Sequence, residues 1–152
     1  MKDVEYMLLA LEEAKKAANI GEVPVGAVIA DVCGKIIAKT HNLRETLNDP
    51  TAHAEILAIK EAGQKLQKWR LTDLTLYVTL EPCPMCAGAI LESRIRRLVY
   101  GAMDIKRGAI ESMFALFGHK AFNERIEIRA GVLEDECKEL LQEFFEKKRK
   151  RE

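Results

Sequence analysis

The chain has 152 residues, 48% of them hydrophobic, with 24 Lys and Arg set against 24 Asp and Glu. That length supports a real core, and a formal charge of zero excludes a global attraction to polyanions, so any nucleic-acid binding must rest on local charge. Four cysteines, only two of them in a metal-ligand spacing, and an acidic start without an apolar h-region argue against a secreted disulfide scaffold and for a reducing, cytoplasmic setting; no apolar run is long enough to span a membrane.

Val4, Met7, Leu8, Leu11 and Ala14 recur at helical spacing and predict a first helix that ends before Gly21. Two short apolar runs, residues 25–30 and 36–40, flank Gly34 and predict a hairpin whose second strand runs out into His41-Asn42. Residues 52–68 read as a helix with Asp49 or Thr51 as its N-cap. Residues 74–80, 95–100 and 126–130 read as three more strands, separated by a helix at Cys83 and another within residues 111–117. A final helix opens with Glu134-Asp135-Glu136 and closes with Lys147-Lys148-Arg149-Lys150-Arg151, the polarity its own dipole favours, with Cys137, Leu140, Leu141, Phe144 and Phe145 on its core side. The βαβ order of the last three strands favours parallel pairing, and the leading hairpin supplies an antiparallel edge to a five-stranded sheet. No repeat, low-complexity linker or break in composition divides the chain, so residues 1–152 are read as a single domain.

The segment Pro82-Cys83-Pro84-Met85-Cys86, taken with His53-Ala54-Glu55, offers three metal ligands and a carboxylate. Cys83 and Cys86, at i and i+3 where Pro82 leads the chain into a helix, share one face of its first turn, where unpaired N–H groups favour thiolate. His53 and Glu55 fall in the first turn of the earlier helix and face the same point. A structural zinc site normally closes with four protein ligands, whereas a catalytic one keeps three and leaves a position for water. The motif counts to three, so His53, Cys83 and Cys86 are read as an open zinc site that turns water into hydroxide near neutral pH. Glu55 is then the general base and acid, and apolar neighbours such as Val25 or Leu80 would raise its pKa. Either half of the motif alone is weak: a lone Cys-x-x-Cys also fits a redox pair or a closed metal knuckle. Cys33 reads as an ordinary free thiol, Cys137 as a buried apolar residue, and His119 as a solvated loop residue.

His-x-Glu followed by Pro-Cys-x-x-Cys is the signature of the zinc-dependent cytidine and nucleobase deaminases. Within them, Gly21-Glu22-Val23-Pro24-Val25-Gly26-Ala27-Val28, His41-Asn42, Asp49-Pro50-Thr51-Ala52-His53-Ala54-Glu55 and Tyr77-Val78-Thr79-Leu80-Glu81-Pro82-Cys83 closely resemble bacterial tRNA adenosine deaminases. The likeness continues through Cys86-Ala87-Gly88-Ala89-Ile90, Ser93-Arg94-Ile95, Gly101-Ala102, Asp104, Lys106 and Phe144-Phe145. It implies a three-layer α/β fold with helices on both faces, strand order 2-1-3-4-5, and strands 4 and 5 parallel. It implies one Zn2+ per subunit, a homodimer, and deamination of adenosine to inosine at the wobble position of a tRNA, an arginine tRNA being the expected substrate through its anticodon stem-loop. It assigns Asn42 and the Ala54 peptide to the target base, and Asp104, Lys106, Lys148 and Arg149 to the RNA. Asn42 alone would pass as a turn residue, and Asp104 and Lys106 as loop charges. Met103, Glu111 and Glu124 depart from the family pattern and make the expected RNA path less basic.

Two other readings stay open on sequence: a deaminase of a free base or nucleoside, which needs the same metal set and no RNA contacts, and a zinc-stabilised nucleic-acid-binding module without chemistry. The second would need a fourth protein ligand and leaves Glu55 without a role.

Overall fold

The computed structural model describes residues 1–118 and 126–151. The elements run α1 (Asp3–Asn19), β1 (Gly26–Ala30), β2 (Ile36–His41), α2 (Ala54–Leu66), β3 (Thr75–Leu80), α3 (Pro84–Glu92), β4 (Arg97–Ala102), a 3-10 turn (Leu116–Gly118), β5 (Glu127–Arg129) and α4 (Glu134–Arg151). The sheet has the order β2-β1-β3-β4-β5, with β1 antiparallel to both β2 and β3, and β3–β4 and β4–β5 parallel, as expected.

Alternation along the strands makes the three layers. Ala27, Ile29, Leu76, Val78 and Leu98 turn to a cluster shared with Ala58 and Ala62 of α2 and Ile90 of α3. Val28, Ala30, Tyr77 and Val99 turn the other way, to Met7, Ala10 and Leu11 of α1 and Cys137 of α4. The small residues of α1 let it lie close on β1: a Cβ added at Gly26 would overlap the Ala10 carbonyl oxygen and stand 2.6 Å from the Ala14 nitrogen. After α1, Gly21 takes φ +81°, which closes the helix where the sequence places its end.

Several expectations are corrected. Residues 111–117 form turns and the start of the 3-10 stretch rather than a helix, because Met113 N and Phe114 N both bond back to Gly108 O while the preceding amides are taken by a side chain described below. The N-cap of α2 is His53; Asp49 instead accepts from Thr51 N at 2.8 Å and Thr51 Oγ1 at 2.7 Å, a local turn one step earlier. In α3 it is Pro84, not Pro82, that occupies the first helical position, with Cys83 as N-cap. Along α4 only Cys137 is buried: Leu140 packs partly against the α1-side cluster, Phe144 is half-buried, and Phe145 is 42% exposed. In α1, Val4 and Leu8 are exposed and the buried stripe runs through Tyr6, Met7, Ala10, Leu11, Ala14 and Ala17. The predicted His119 loop and Glu124 lie outside the described residues.

One ion cluster fastens the start of α1 to the parallel strands. Asp3 receives both terminal nitrogens of Arg97, at 2.7 and 2.6 Å, then Arg129 Nη1 at 2.7 Å and Tyr77 Oη at 3.1 Å. Hydrogen bonding from Arg97 above all holds the Asp3 carboxyl at about 2, against the cost of its burial. A depressed carboxyl stabilises the fold above its unfolded pKa and loses that contribution as pH falls through the folded one. Asp3→Asn is therefore expected to lower stability by about 1–2 kcal/mol at pH 7, solvent screening allowed for, and by much less at pH ~2.5. Urea unfolding of both proteins at the two pH values measures this; an equal deficit at the acid pH would contradict the ion-cluster account.

Candidate active site

Two helix N-termini meet where β3 ends. His53 and Cys83 are the N-caps of α2 and α3, both in extended backbone, and Cys86 is the third residue of α3. His53 Nδ1 stands 3.4 Å from Cys86 Sγ and 3.6 Å from Cys83 Sγ, and the three donor atoms lie within 4.8 Å of one another. Among the described residues this is the His/Cys/Asp/Glu group that could hold a metal ion. His53 is half-buried and both cysteines are buried. Cys33 sits exposed in the β1–β2 turn, outside the group, and Cys137 is buried on the other face, its thiol pushed up to about 12 by burial.

Electrostatics distinguish the donors. The Cys83 thiol is held at about 3, first by its hydrogen bond with Cys86 and then by His53, while the same bond and burial drive Cys86 upward. His53 is raised by its contact with Cys83, with burial and the Arg107 charge acting against it. Glu55, two residues beyond His53, is 4% exposed. Burial lifts it to about 7, its own backbone amide opposing and the Cys83 charge adding to the rise. A carboxyl poised there can both take and return a proton at neutral pH. Val25 packs on the α2 side of the sheet, as the expected apolar wall requires, whereas Leu80 packs on the α1 side.

Asn42 follows β2, is 7% exposed and is held by loop bonds: its Nδ2 donates to Val23 O at 3.3 Å and its Oδ1 accepts from Arg44 N at 3.2 Å. It thus serves as a turn residue and still has one amide proton and one lone pair to offer. Ala54 opens α2 and is fully buried; its carbonyl accepts from Thr40 Oγ1 at 2.7 Å, and its N–H belongs to the first turn, which has no intrahelical acceptor. Asp104 and Lys106 lie on the loop after β4, which reaches the metal-ligand turn directly: Ala109 N donates to Pro82 O at 2.8 Å. Lys148 and Arg149 are exposed at the end of α4, in the layer opposite the one that carries His53. Met103 is 49% exposed, and Glu111 is exposed with its amide bound to Glu81. Two surface concavities of about 730 and 510 Å3 lie near the starts of β4 and β5, lined in part by Arg96 and Ile126, and neither includes a member of the His53 group.

Three residues near the site have no role in the sequence reading. Glu22, 1% exposed, accepts from Glu45 N at 3.1 Å and from Thr46 N and Oγ1 at 2.6 Å each, and so shapes the loop that leads from Asn42 to His53. Glu81, 2% exposed, binds the loop after β4. Arg107 is exposed on that loop and its charge is felt at His53. The one sequence signal for Glu22 and Glu81 is a carboxylate without a basic neighbour in sequence, placed next to an apolar strand or a proline turn.

A β2-β1-β3-β4-β5 sheet that brings a histidine, two cysteines and a buried glutamate together at two helix N-termini defines an enzyme of the deaminase class. The chain belongs to the MafB19-like deaminase family, whose model matches residues 1–149. It is 52% identical over 147 residues to the tRNA-specific adenosine deaminase of Haemophilus influenzae, covering 97% of this chain and 85% of that protein. To the tRNA-specific adenosine deaminase of Bacillus subtilis it is 51% identical over 150 residues, covering 99% and 92%. A solved structure from work on A-to-I editing by tRNA:A34 deaminases at the wobble position of transfer RNA superposes with a TM-score of 0.87 at 47% identity, over 90% of this chain and 99% of that one. A guanine deaminase from Nitrosomonas europaea shares the fold at a TM-score of 0.82 but only 27% identity, over 93% and 83%.

Proposed function

We propose that this protein deaminates adenosine to inosine at the wobble position of a tRNA, releasing ammonia, with zinc held by His53, Cys83 and Cys86. The observation that carries the chemistry is the buried Glu55 beside a three-donor metal group. The donor set suits zinc: bond lengths of ~2.3 Å to sulfur and ~2.0 Å to nitrogen in a tetrahedron put those donors about 3.5 Å apart, and the two sulfur–nitrogen distances are 3.4 and 3.6 Å. Three protein ligands leave a position for water, which favours a catalytic centre over a metal that only holds the fold. When bound, zinc supplies the Lewis acidity that makes water a nucleophile at neutral pH.

The chain's own groups then divide the remaining work. Glu55 takes a proton from the attacking water, delivers it to the ring nitrogen next to the reacting carbon, and carries the next one to the leaving amine. Its burial keeps the carboxyl near neutrality in proton affinity, so both directions of transfer are accessible. The Ala54 N–H and the free valences of Asn42 orient the base. An anticodon loop is the least costly source of such a base, because its nucleotides unstack and splay out readily. Asp104 and Lys106 flank the target nucleotide, and Lys148 and Arg149 hold phosphates from α4. The high identity to tRNA-specific relatives favours this substrate over the guanine of the more distant guanine deaminase.

The reading extends to a homodimer with one zinc per subunit, to an arginine tRNA as substrate, and to a cytoplasmic setting; no helix of the described residues is long and apolar enough to cross a membrane. Incubating the zinc-loaded protein with total tRNA and reading the products by reverse transcription tests the assignment. Adenosine should turn into a guanosine read at the wobble position alone; an unchanged pool, or changes scattered over other adenosines, would contradict it.

A further inference from the structure

We infer that Glu81 is a positioning residue for RNA binding: its carboxylate clasps both ends of the loop after β4 to the metal-ligand turn and so aims Lys106 and Arg107 at the phosphates beside the target nucleotide. The inference rests on the tRNA reading above and adds to it Arg107 as a contact and Glu81 as its support.

Glu81 stands two residues before Cys83, and its own N–H donates to Ala102 O at 2.8 Å, so its backbone is part of the frame that carries the metal ligands. One carboxylate oxygen accepts from Asp104 N at 3.1 Å and from Ser112 Oγ. The other accepts three consecutive amides, Ile110 N at 3.1 Å, Glu111 N at 2.8 Å and Ser112 N at 3.0 Å. A single buried anion thus satisfies the first and last amides of a nine-residue loop, counting from Asp104 to Ser112. Space is closed around it: a Cβ at Gly108 would overlap the Glu81 carboxyl and stand 2.5 Å from Asp104 O.

Within this frame Asp104 Oδ1 accepts from Lys106 N and Arg107 N, each at 3.1 Å. Gly108 N returns to Asp104 O at 2.7 Å, and Ala109 N bonds Pro82 O at 2.8 Å. The backbone of the two cations is therefore fixed relative to Cys83, although both side chains are exposed. Two cations held in place at the mouth of the site bind phosphate without first paying the entropy of ordering their loop. Charge-assisted bonds to a buried carboxylate are the strong ones, which suits a clasp better than any exposed pair.

The test compares wild type, Glu81→Gln, and each of these in a Lys106→Ala/Arg107→Ala background, all zinc-loaded, on an anticodon stem-loop with adenosine at the wobble position. Glutamine keeps one acceptor but turns an N–H2 toward donors of the loop. Glu81→Gln is expected to keep zinc and raise KM about tenfold, the scale of one charge-assisted hydrogen bond, with kcat within about threefold. Added to Lys106→Ala/Arg107→Ala it should raise KM little further, since the groups it aims are gone. The slope of log kcat/KM against log salt should become shallower by roughly 0.7 for each phosphate that the protein no longer neutralises. An unchanged KM in a folded, zinc-loaded Glu81→Gln, or full additivity in the double background, would overturn the inference and leave the tRNA reading standing. Should Glu81→Gln not fold, Ser112→Ala loosens the same clasp from the loop side, and the same non-additivity is required of it. Wild type without turnover on the stem-loop would sink the tRNA reading, and this inference with it.

Discussion

Glu55→Gln is expected to lower kcat by about 10^2- to 10^4-fold while zinc content and stem-loop affinity stay close to wild type, the range typical of losing a general acid–base from a proton-transfer step. The side chain is not a member of the metal-donor group, so its loss leaves three ligands in place. It is also buried, so phosphates that bind at the surface do not touch it. The same substitution has an opposite signature in stability. A carboxyl raised to about 7 in the fold costs stability at pH above that value and nothing below its unfolded pKa, because only the ionised form is disfavoured by burial. In metal-free protein, Glu55→Gln should therefore stabilise by roughly 3 kcal/mol at pH ~8 and by under about 1 kcal/mol at pH ~5. Chemical unfolding at the two pH values, beside single-turnover rates, measures both effects. A variant that keeps a tenth of wild-type kcat would show that another group moves the proton.

Removal of the metal is the second large effect. Chelation is expected to reduce turnover by more than about 10^3-fold, since water alone is a poor nucleophile toward an aromatic amine at neutral pH. It should also lower Tm by about 10 °C: metal at a thousand times its dissociation constant contributes ~4 kcal/mol, and a protein of this size shifts by ~2–4 °C per kcal/mol. The three donors come from the N-termini of two separate helices, so a bound ion would tie α2 to α3 and its loss should be felt as looser packing there. Added zinc should restore both rate and Tm in wild type. Cys86→Ser should restore neither, because a buried hydroxyl in place of the thiolate is a poor zinc ligand. Full activity after exhaustive chelation would rule out the metal-dependent mechanism.

The site's geometry is legible in the sequence because candidate donors and helix starts are local: Cys83 and Cys86 share one turn, His53 and Glu55 another, and the largely apolar β3 lies between them. Parallel pairing of the last three strands follows from the same alternation of strands and helices, and their order from the family resemblance. The buried carboxylates of Glu22 and Glu81 are far less legible. Beyond the apolar strand or proline turn beside them, nothing local tells Glu81 or Glu22 from a surface glutamate, since each finds its hydrogen-bond donors more than twenty residues away in a loop. That is also why residues 111–117 mislead: Met113, Phe114, Leu116 and Phe117 give an apolar pattern that suits a helix, yet Glu81 captures the amides of residues 110–112 and turns the chain. In α4 the misleading signal is amphipathicity itself. Leu141, Phe144 and Phe145 continue the apolar stripe begun by Cys137, but the sheet covers only the start of that stripe and Phe145 is left 42% exposed.

The measurement that bears most directly on the whole account is inosine formation by the zinc-loaded protein on an anticodon stem-loop with adenosine at the wobble position, run beside free adenosine, cytidine, cytosine and guanine at equal concentration. The account predicts conversion of the stem-loop alone. Turnover confined to a free base or nucleoside would contradict the tRNA assignment, leave the roles of His53, Glu55, Cys83 and Cys86 intact, and remove Asp104, Lys106, Arg107, Lys148 and Arg149 from the binding machinery.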